Sequence, residues 1–330
     1  MYSASLDRVR GDFVRRFLVS ALIILSCSYW GASNAVAEER LIAVIMTNSQ
    51  PRYNEVHSAF IKNAGSFCDK DCRIYVQTPH ADTMSLRNSV RKAVALGAGL
   101  IVTYGPLATM AAKAELPPVS TLFADVYDPV GLGIVSATTK TGRNMSGIRG
   151  DAPVQGLLKY FTDTVKVRKL GILFDAHSPE ALQQRRLLEE SCNRKGIIVH
   201  AMEVDDSHNY LAPLGELPDD VDGVFVASSE HHESQLGFVL GYTNARKIPV
   251  ITQLAGAADE GAFMVLETSP QEQGEKLAEM AGRVLSGQNI NQIPMLNPHN
   301  ISFVINLNVA KDQGIKVPIQ TLSVASRVVR

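Results

Sequence analysis

The sequence predicts an α/β protein made of two doubly wound parallel-sheet lobes, on three observations. Short continuous apolar runs, such as Leu41–Met46 and Leu170–Phe174, have the pattern of strands buried on both faces of a sheet. Amphipathic helical segments alternate with those runs, and repeated βα alternation specifies a parallel sheet covered by helices on both faces. The alternation falls into two successive sets of similar size, which implies two lobes with a cleft between them.

In the first set, strand Leu41–Met46 leads through polar Thr47-Asn48-Ser49-Gln50-Pro51 into a helix with Val56, Phe60 and Ala64 on one face. Strand Arg73–Gln77 is followed by a helix carrying Leu86, Val90, Ala93 and Gly97 on one side. Strand Leu100–Thr103 ends at Tyr104-Gly105-Pro106, which opens the next helix, and Val119–Phe123 is the fourth strand. In the second set, Asp151-Ala152-Pro153 is expected to cap a helix bearing Val154, Leu157, Leu158 and Phe161. Strand Leu170–Phe174 then leads to Ser178-Pro179-Glu180, an N-cap, an N1 proline and a first-turn acid for a helix to about Arg194. Ile197–Met202, Gly223–Ala227 and Val250–Thr252 read as three further strands, with a helix from about Glu230 to Asn244 before the last.

The chain has 330 residues and a net charge of −1, and 45% of it is hydrophobic, enough for the core of one or two domains. A near-neutral balance argues against a nucleic-acid partner, whose footprint is a basic face. Residues 1–37 read as a secretory signal peptide: Arg8, Arg10, Arg15 and Arg16, an apolar run from Phe17 to Trp30, then Ala35-Val36-Ala37 as the A-x-A cleavage site. The 14-residue run falls short of the roughly 20 residues of a spanning helix. The expectation is therefore an exported, periplasmic chain starting at Glu38. A lipoprotein site at Cys27 is the alternative. The mature chain keeps three cysteines; Cys68 and Cys72, four apart, are placed to close a small disulfide, and Cys192 on an amphipathic helix reads as a buried apolar residue.

Ligands of open parallel α/β sheets bind beyond the carboxyl ends of the strands. In the first set those positions are 48–53, 104–106 and 124–129, and the candidates among them are Asn48, Ser49, Gln50, Tyr53, Tyr104, Gly105, Pro106, Tyr127 and Asp128. In the second they are 175–180, 228–231 and 253, and the candidates among them are Asp175, Glu180, Ser229, Glu230 and Gln253. Three of the seven mature tyrosines fall in the first-lobe loops, either as flat contact surfaces for a small ligand or as covers over strand ends. Nucleophile-elbow, Walker and zincin motifs are missing. Glu230-His231-His232-Glu233 is the one metal-like cluster, but adjacent helix residues do not face a common ion. Asp128 and Glu180 suit an acid–base pair as well as they suit binding a ligand ammonium or hydroxyl. The reading is a non-enzymatic chain without metal or cofactor.

The stretch from Pro118 through Asp128-Pro129-Val130-Gly131, followed by Gly142-Arg143-Asn144-Met145-Ser146-Gly147, resembles the ABC-transporter substrate-binding family with the type I periplasmic binding fold. That family includes tryptophan- and related aromatic amino-acid-binding proteins. Further matches in the right order are Ile248-Pro249-Val250, Gln273-Gly274-Glu275-Lys276-Leu277-Ala278, Ile293-Pro294 and Ile305-Asn306-Leu307-Asn308. The resemblance implies two lobes joined by three crossovers, with 38–146 and 264–292 in one and 147–263 and 293–330 in the other. It implies hinge closure on a small ligand, an amino acid or related metabolite, and delivery to a membrane permease served by a separate ATPase. A ligand-loaded sensory component acting on a signalling receptor is the alternative. The sequence departs from the family pattern at Asp175, Leu182 and Ser228-Ser229-Glu230-His231, all near the expected cleft, so the resemblance leaves the ligand open.

Overall fold

The computed structural model describes residues 40–330 apart from 48–50, 69–71, 140, 141, 143 and 205–208, and without the side chains of Pro51, Glu230, His231 and Glu233. The expected sites Asn48, Ser49 and Gln50 therefore lie outside the described residues, as do the side chain of Glu230 and the whole of residues 1–37.

Two sheets organise the chain. The first holds β1 (Arg40–Met46), β2 (Cys72–Gln77), β3 (Ala98–Tyr104), β4 (Ser120–Val126) and β5 (Met145–Arg149), in the order β2-β1-β3-β4-β5 and all parallel. Helices α1 (Pro51–Ala64), α2 (Thr83–Ala95) and α3 (Gly105–Glu115) connect its first four strands. The second sheet holds β6 (Lys169–Asp175), β7 (Ile198–Val204), β8 (Gly223–Val226), β9 (Val250–Thr252), β10 (Met264–Thr268), β11 (Ile301–Asn306) and β12 (Arg327–Val329). Its long helices are α4 (Val154–Thr164), α5 (Pro179–Lys195) and α6 (Glu230–Ala245). A seventh long helix, α7 (Pro270–Leu285), leaves β10 and buries Leu277, Ala278, Met280 and Ala281 with Val56, Phe60 and Leu100 of the first sheet's core.

The central strands are apolar on both sides because helices cover both faces of each sheet. Ile42, Val44, Leu100 and Val102 enter one first-lobe core, while Leu41, Ala43, Ile45 and Ile101 enter the other. Leu170, Ile172 and Phe225 face α4 and α5, and Leu173, Val224 and Val226 face the opposite core. All eight strands read from the sequence are present. Strands β5, β10, β11 and β12 are additions, short segments whose pairing is set by tertiary position rather than by a long apolar run.

Strand β11 runs antiparallel to β10, the one departure from parallel pairing among the described strands. The reason is connectivity. Strand β10 ends at the crossover, the chain visits the first lobe through α7, and β11 starts where the chain re-enters, so it runs away from the crossover.

The crossovers lie at 150–153, 268–269 and 296–300. The expected boundaries differ: 146/147 falls inside β5, residues 264–268 pair in the second sheet, and Ile293 and Met295 sit in first-lobe cores. Asp151 also departs from its expected capping role. The N-cap of α4 is Pro153, with no side-chain cap bond, and Asp151 instead pairs with Arg149 and accepts from the Asp128 N–H at 3.3 Å. Cys68 and Cys72 are joined by a disulfide, and Cys192 is buried.

Candidate functional site

The carboxyl ends of both sheets face one cavity of about 410 Å³ between the lobes. From the first lobe it is lined by Arg52 and Tyr53 of α1, Asp82 and Thr83 at the start of α2, Pro106 and Leu107 of α3, and Asp125 and Tyr127 after β4. From the second lobe come Asp175, His177, Ser178, Pro179 and Glu180, then Ser228 and Ser229, then Gln253 to Ala255.

Seven of the expected residues are brought together here: Tyr53, Pro106, Tyr127, Asp175, Glu180, Ser229 and Gln253. Three others are placed elsewhere. Tyr104 is fully buried beneath the cavity with its hydroxyl 3.2 Å from His57 Nδ1, and burial raises its pKa well above the usual phenol range. Its ring packs in the first-lobe core with Phe60, Val102 and Leu122. Gly105 has φ +78°, and a Cβ there would lie 2.1 Å from the Tyr53 hydroxyl; the glycine makes room for Tyr53 and does not face the cavity. Asp128 accepts from the Gly131 N–H at 3.0 Å, closing its own turn, and from the Gln183 side-chain amide across the cleft.

Four helices start at the cavity. Asp82 caps α2 by accepting from the Ser85 N–H at 2.8 Å, Pro106 occupies the first turn of α3, and Ser178 and Ser229 cap α5 and α6. Helix N-termini carry partial positive charge and favour an anionic group. Carboxylates of Asp82, Asp125, Asp175 and Glu180 lie in the same lining, so the cavity offers separate settings for an anion and for a cation.

Arg52, Asp125 and Ser228 also line the cavity, at strand-end positions the sequence marks without assigning them a role, and Asp82 is a lining acid outside those positions. Arg52 Nε donates to both Asp125 carboxylate oxygens at 2.7 and 2.8 Å, and its Nη2 donates to Thr268 Oγ1 at 2.6 Å. The Asp125 N–H donates to Gln273 Oε1 at 2.7 Å, and Thr268 Oγ1 donates to the Gly150 carbonyl at 2.8 Å. This network ties α1 and β4 to two of the three crossovers. Asp125 sits at φ +57°, and a Cβ on Gly150 would come 2.6 Å from its Oδ1, so that close approach requires glycine. The signal for Asp82 is positional, since it follows the end of β2 as the other lining residues follow theirs.

The lobes touch beside the cavity. Ser228 Oγ donates to Tyr127 Oη at 3.4 Å, and Gln183 of α5 donates to Asp128. Both contacts join the first lobe to the second. Burial, then the nearby Glu180 charge, push the Tyr127 pKa up and hold the phenol neutral. Leu182, one of the departures from the family pattern, is 42% exposed and does not line the cavity. Among the described residues no cluster of His, Cys, Asp or Glu is arranged to hold a metal ion, and no helix is long and apolar enough to cross a membrane.

Comparison with known proteins gives a consistent result. A tyrosine-binding protein of Clostridioides difficile is 23% identical over 301 residues, 88% of this chain and 87% of that protein. The crystal structure of an ABC domain in complex with L-Trp from Streptococcus pneumonia superposes with a TM-score of 0.81 at 19% identity, covering 88% of this chain and 100% of that one. The ligand-free, open structure of a substrate-binding protein with adhesive properties from Clostridium difficile superposes with a TM-score of 0.70 at 20% identity, over 88% and 99% of the two chains. The family model described as ABC transporter substrate binding protein matches residues 42–329, and with the two-lobed α/β fold this establishes that the chain belongs to that family.

Proposed function

We propose that the protein captures an α-amino acid with an aromatic or apolar side chain between its lobes and hands it to an ABC permease. The observation that carries this reading is the composition of the cavity. Four helix starts suit a ligand carboxylate, Asp175 and Glu180 suit an ammonium, and Tyr53, Tyr127, Pro106 and Leu107 supply apolar contact for a side chain. A zwitterion matches that pairing of opposite settings. Relatives that bind tyrosine and L-Trp support the same class.

The moving bodies in this reading are residues 40–149 with 270–295, and 154–268 with 301–330, hinged at the three crossovers. Ligand bridging both lobes stabilises the closed state by its differential affinity for that state. The protein is a carrier without catalytic turnover, and its ATPase resides in a separate chain. Family membership favours transport over the sensory alternative. Residues 1–37 act as an export signal cleaved after Ala37, and the Cys68–Cys72 disulfide supports an oxidising destination such as the periplasm.

The test is a thermal-shift screen of the chain from Glu38, unfolded and refolded to remove bound ligand, against amino acids, nucleobases, sugars and small acids. A true ligand at 100 times its Kd adds about 2.7 kcal/mol, or roughly 5–10 °C at the 2–4 °C per kcal/mol of a domain of 150–250 residues. Shifts from L-tyrosine or L-tryptophan are expected. A folded protein that responds only to sugars or nucleobases would overturn the amino-acid assignment.

A further inference from the structure

Beneath the cavity lies a chain of buried amides that determines which way one of its hydroxyls points. Gln184 is 2% exposed on α5, one turn beyond Glu180 on the same face. The Ser228 backbone N–H donates to Gln184 Oε1 at 2.7 Å. A backbone N–H can only donate, so that end of Gln184 is its oxygen and the other end is its NH2. The NH2 group donates to Ser228 Oγ at 3.1 Å and to Gln253 Oε1 at 3.1 Å. Gln253 is oriented in turn, and its own NH2 donates to the Ala152 carbonyl in the first crossover at 2.8 Å. Two backbone groups, one at each end, thus fix both amides without ambiguity.

The consequence falls on Ser228 and Tyr127. Ser228 Oγ accepts from the Gln184 NH2 and donates its own hydrogen to Tyr127 Oη, 3.4 Å away across the lobe boundary. Tyr127 Oη is therefore an acceptor on that side, and its own hydrogen has no acceptor among the described residues. It is left for the cavity that Tyr127 lines. Burial and the Glu180 charge keep the phenol protonated, so this donor persists across the physiological pH range.

We propose that Gln184, which does not line the ligand cavity itself, is a positioning residue that presents the Tyr127 hydroxyl to the ligand as a hydrogen-bond donor. Its partner on the ligand is an acceptor oxygen, which in an α-amino acid is the carboxylate; this last step rests on the function proposed above. Gln184→Glu reverses the polarity while keeping the shape. A carboxylate cannot donate to Ser228 Oγ, so the serine hydrogen turns to residue 184 and Ser228 Oγ accepts from Tyr127.

The first arm of the test needs no ligand. The tyrosine Fermi doublet in the Raman spectrum distinguishes a phenol oxygen that accepts hydrogen bonds from one that only donates. The Tyr127 signal is isolated by subtracting the spectrum of Tyr127→Phe from that of the otherwise identical protein. The doublet ratio is expected to fall towards the donor pattern in Gln184→Glu; an unchanged ratio would overturn the proposal. Ser228→Ala, which removes the donor to Tyr127, is expected to change the same signal and serves if Gln184→Glu does not fold.

The second arm is calorimetric titration with L-tyrosine and L-tryptophan. Gln184→Glu and Tyr127→Phe are each expected to weaken binding about tenfold, the worth of one buried hydrogen bond. The double variant is expected to be no weaker than the worse single variant, because both act on one bond. Independent, additive losses would contradict the proposal. If neither amino acid binds the unaltered protein, the ligand assignment fails and the Raman arm still decides the role of Gln184.

Discussion

Asp125→Asn is the substitution that most cleanly probes the coupling between cavity and crossovers. Asparagine keeps the volume of aspartate and tolerates the left-handed backbone at φ +57°, so the change removes charge without adding backbone strain. Arg52 and Asp125 are 11% and 5% exposed, and Arg52 Nε is shared between both carboxylate oxygens. Removing one partner of a buried ion pair costs about 3–5 kcal/mol. The remaining amide oxygen and the Thr268 acceptors put the expected loss at the low end, about 3 kcal/mol. At roughly 2–4 °C per kcal/mol, the Tm should fall by about 6–12 °C. Calorimetric melts of the chain from Glu38 at neutral pH would measure it. Arg52→Met combined with Asp125→Asn should recover part of that loss, since no buried charge is left without its partner. A single variant melting within 1 °C of the unaltered protein, or a double variant worse than both singles by a simple sum, would refute the reasoning.

Three further outcomes follow from local geometry. Burial lowers the pKa of His57, which lies 3.2 Å from the Tyr104 hydroxyl. Below about pH 6.5 the unfolded chain therefore takes up a proton before the folded chain does, and stability falls as pH drops through that region. His57→Gln should reduce this pH dependence in urea titrations at pH 7.5 and 5.5; an unaltered difference would contradict the assignment. Cys192 is buried, with its thiol pKa pushed up to about 11 by burial, and the other two cysteines of the chain from Glu38 are paired. Native protein at pH 8 should resist iodoacetamide and release one reactive thiol on unfolding without reductant, whereas three would rule out the disulfide. On α7, a Cβ at Gly274 would lie 2.3 Å from the Val56 carbonyl oxygen. Gly274→Ala should cost about 1–3 kcal/mol in denaturant unfolding by forcing α1 and α7 apart, and an unchanged midpoint would show that the two helices yield freely.

Much of the fold was legible because the central strands are buried on both faces. Runs such as Leu41–Met46 and Leu170–Phe174 leave little choice but a covered parallel strand. Segments such as Met145–Arg149 and Arg327–Val329 are too short and mixed to declare themselves, and only pairing with β4 and β11 makes them strands. The strand-end rule located half of the expected cavity residues directly. It could not see orientation: Tyr104 and Tyr127 both follow strands, yet one ring turns into the core and the other towards the second lobe. Arg52 and Asp125 both lie at strand ends, but their pairing was hidden for a related reason. Their significance depends on Thr268 and Gln273, more than 140 residues later in the chain, and no local pattern connects them.

The central claim is that ligand holds the lobes together, and small-angle X-ray scattering of the ligand-stripped chain from Glu38 tests it most directly. Without ligand the protein should open about the three crossovers and show a larger radius of gyration. Saturating L-tyrosine or L-tryptophan should contract it to the value calculated for the arrangement described above, in which the lobes touch beside the cavity. Binding of either amino acid with no change in the radius of gyration would contradict closure as the mechanism of capture.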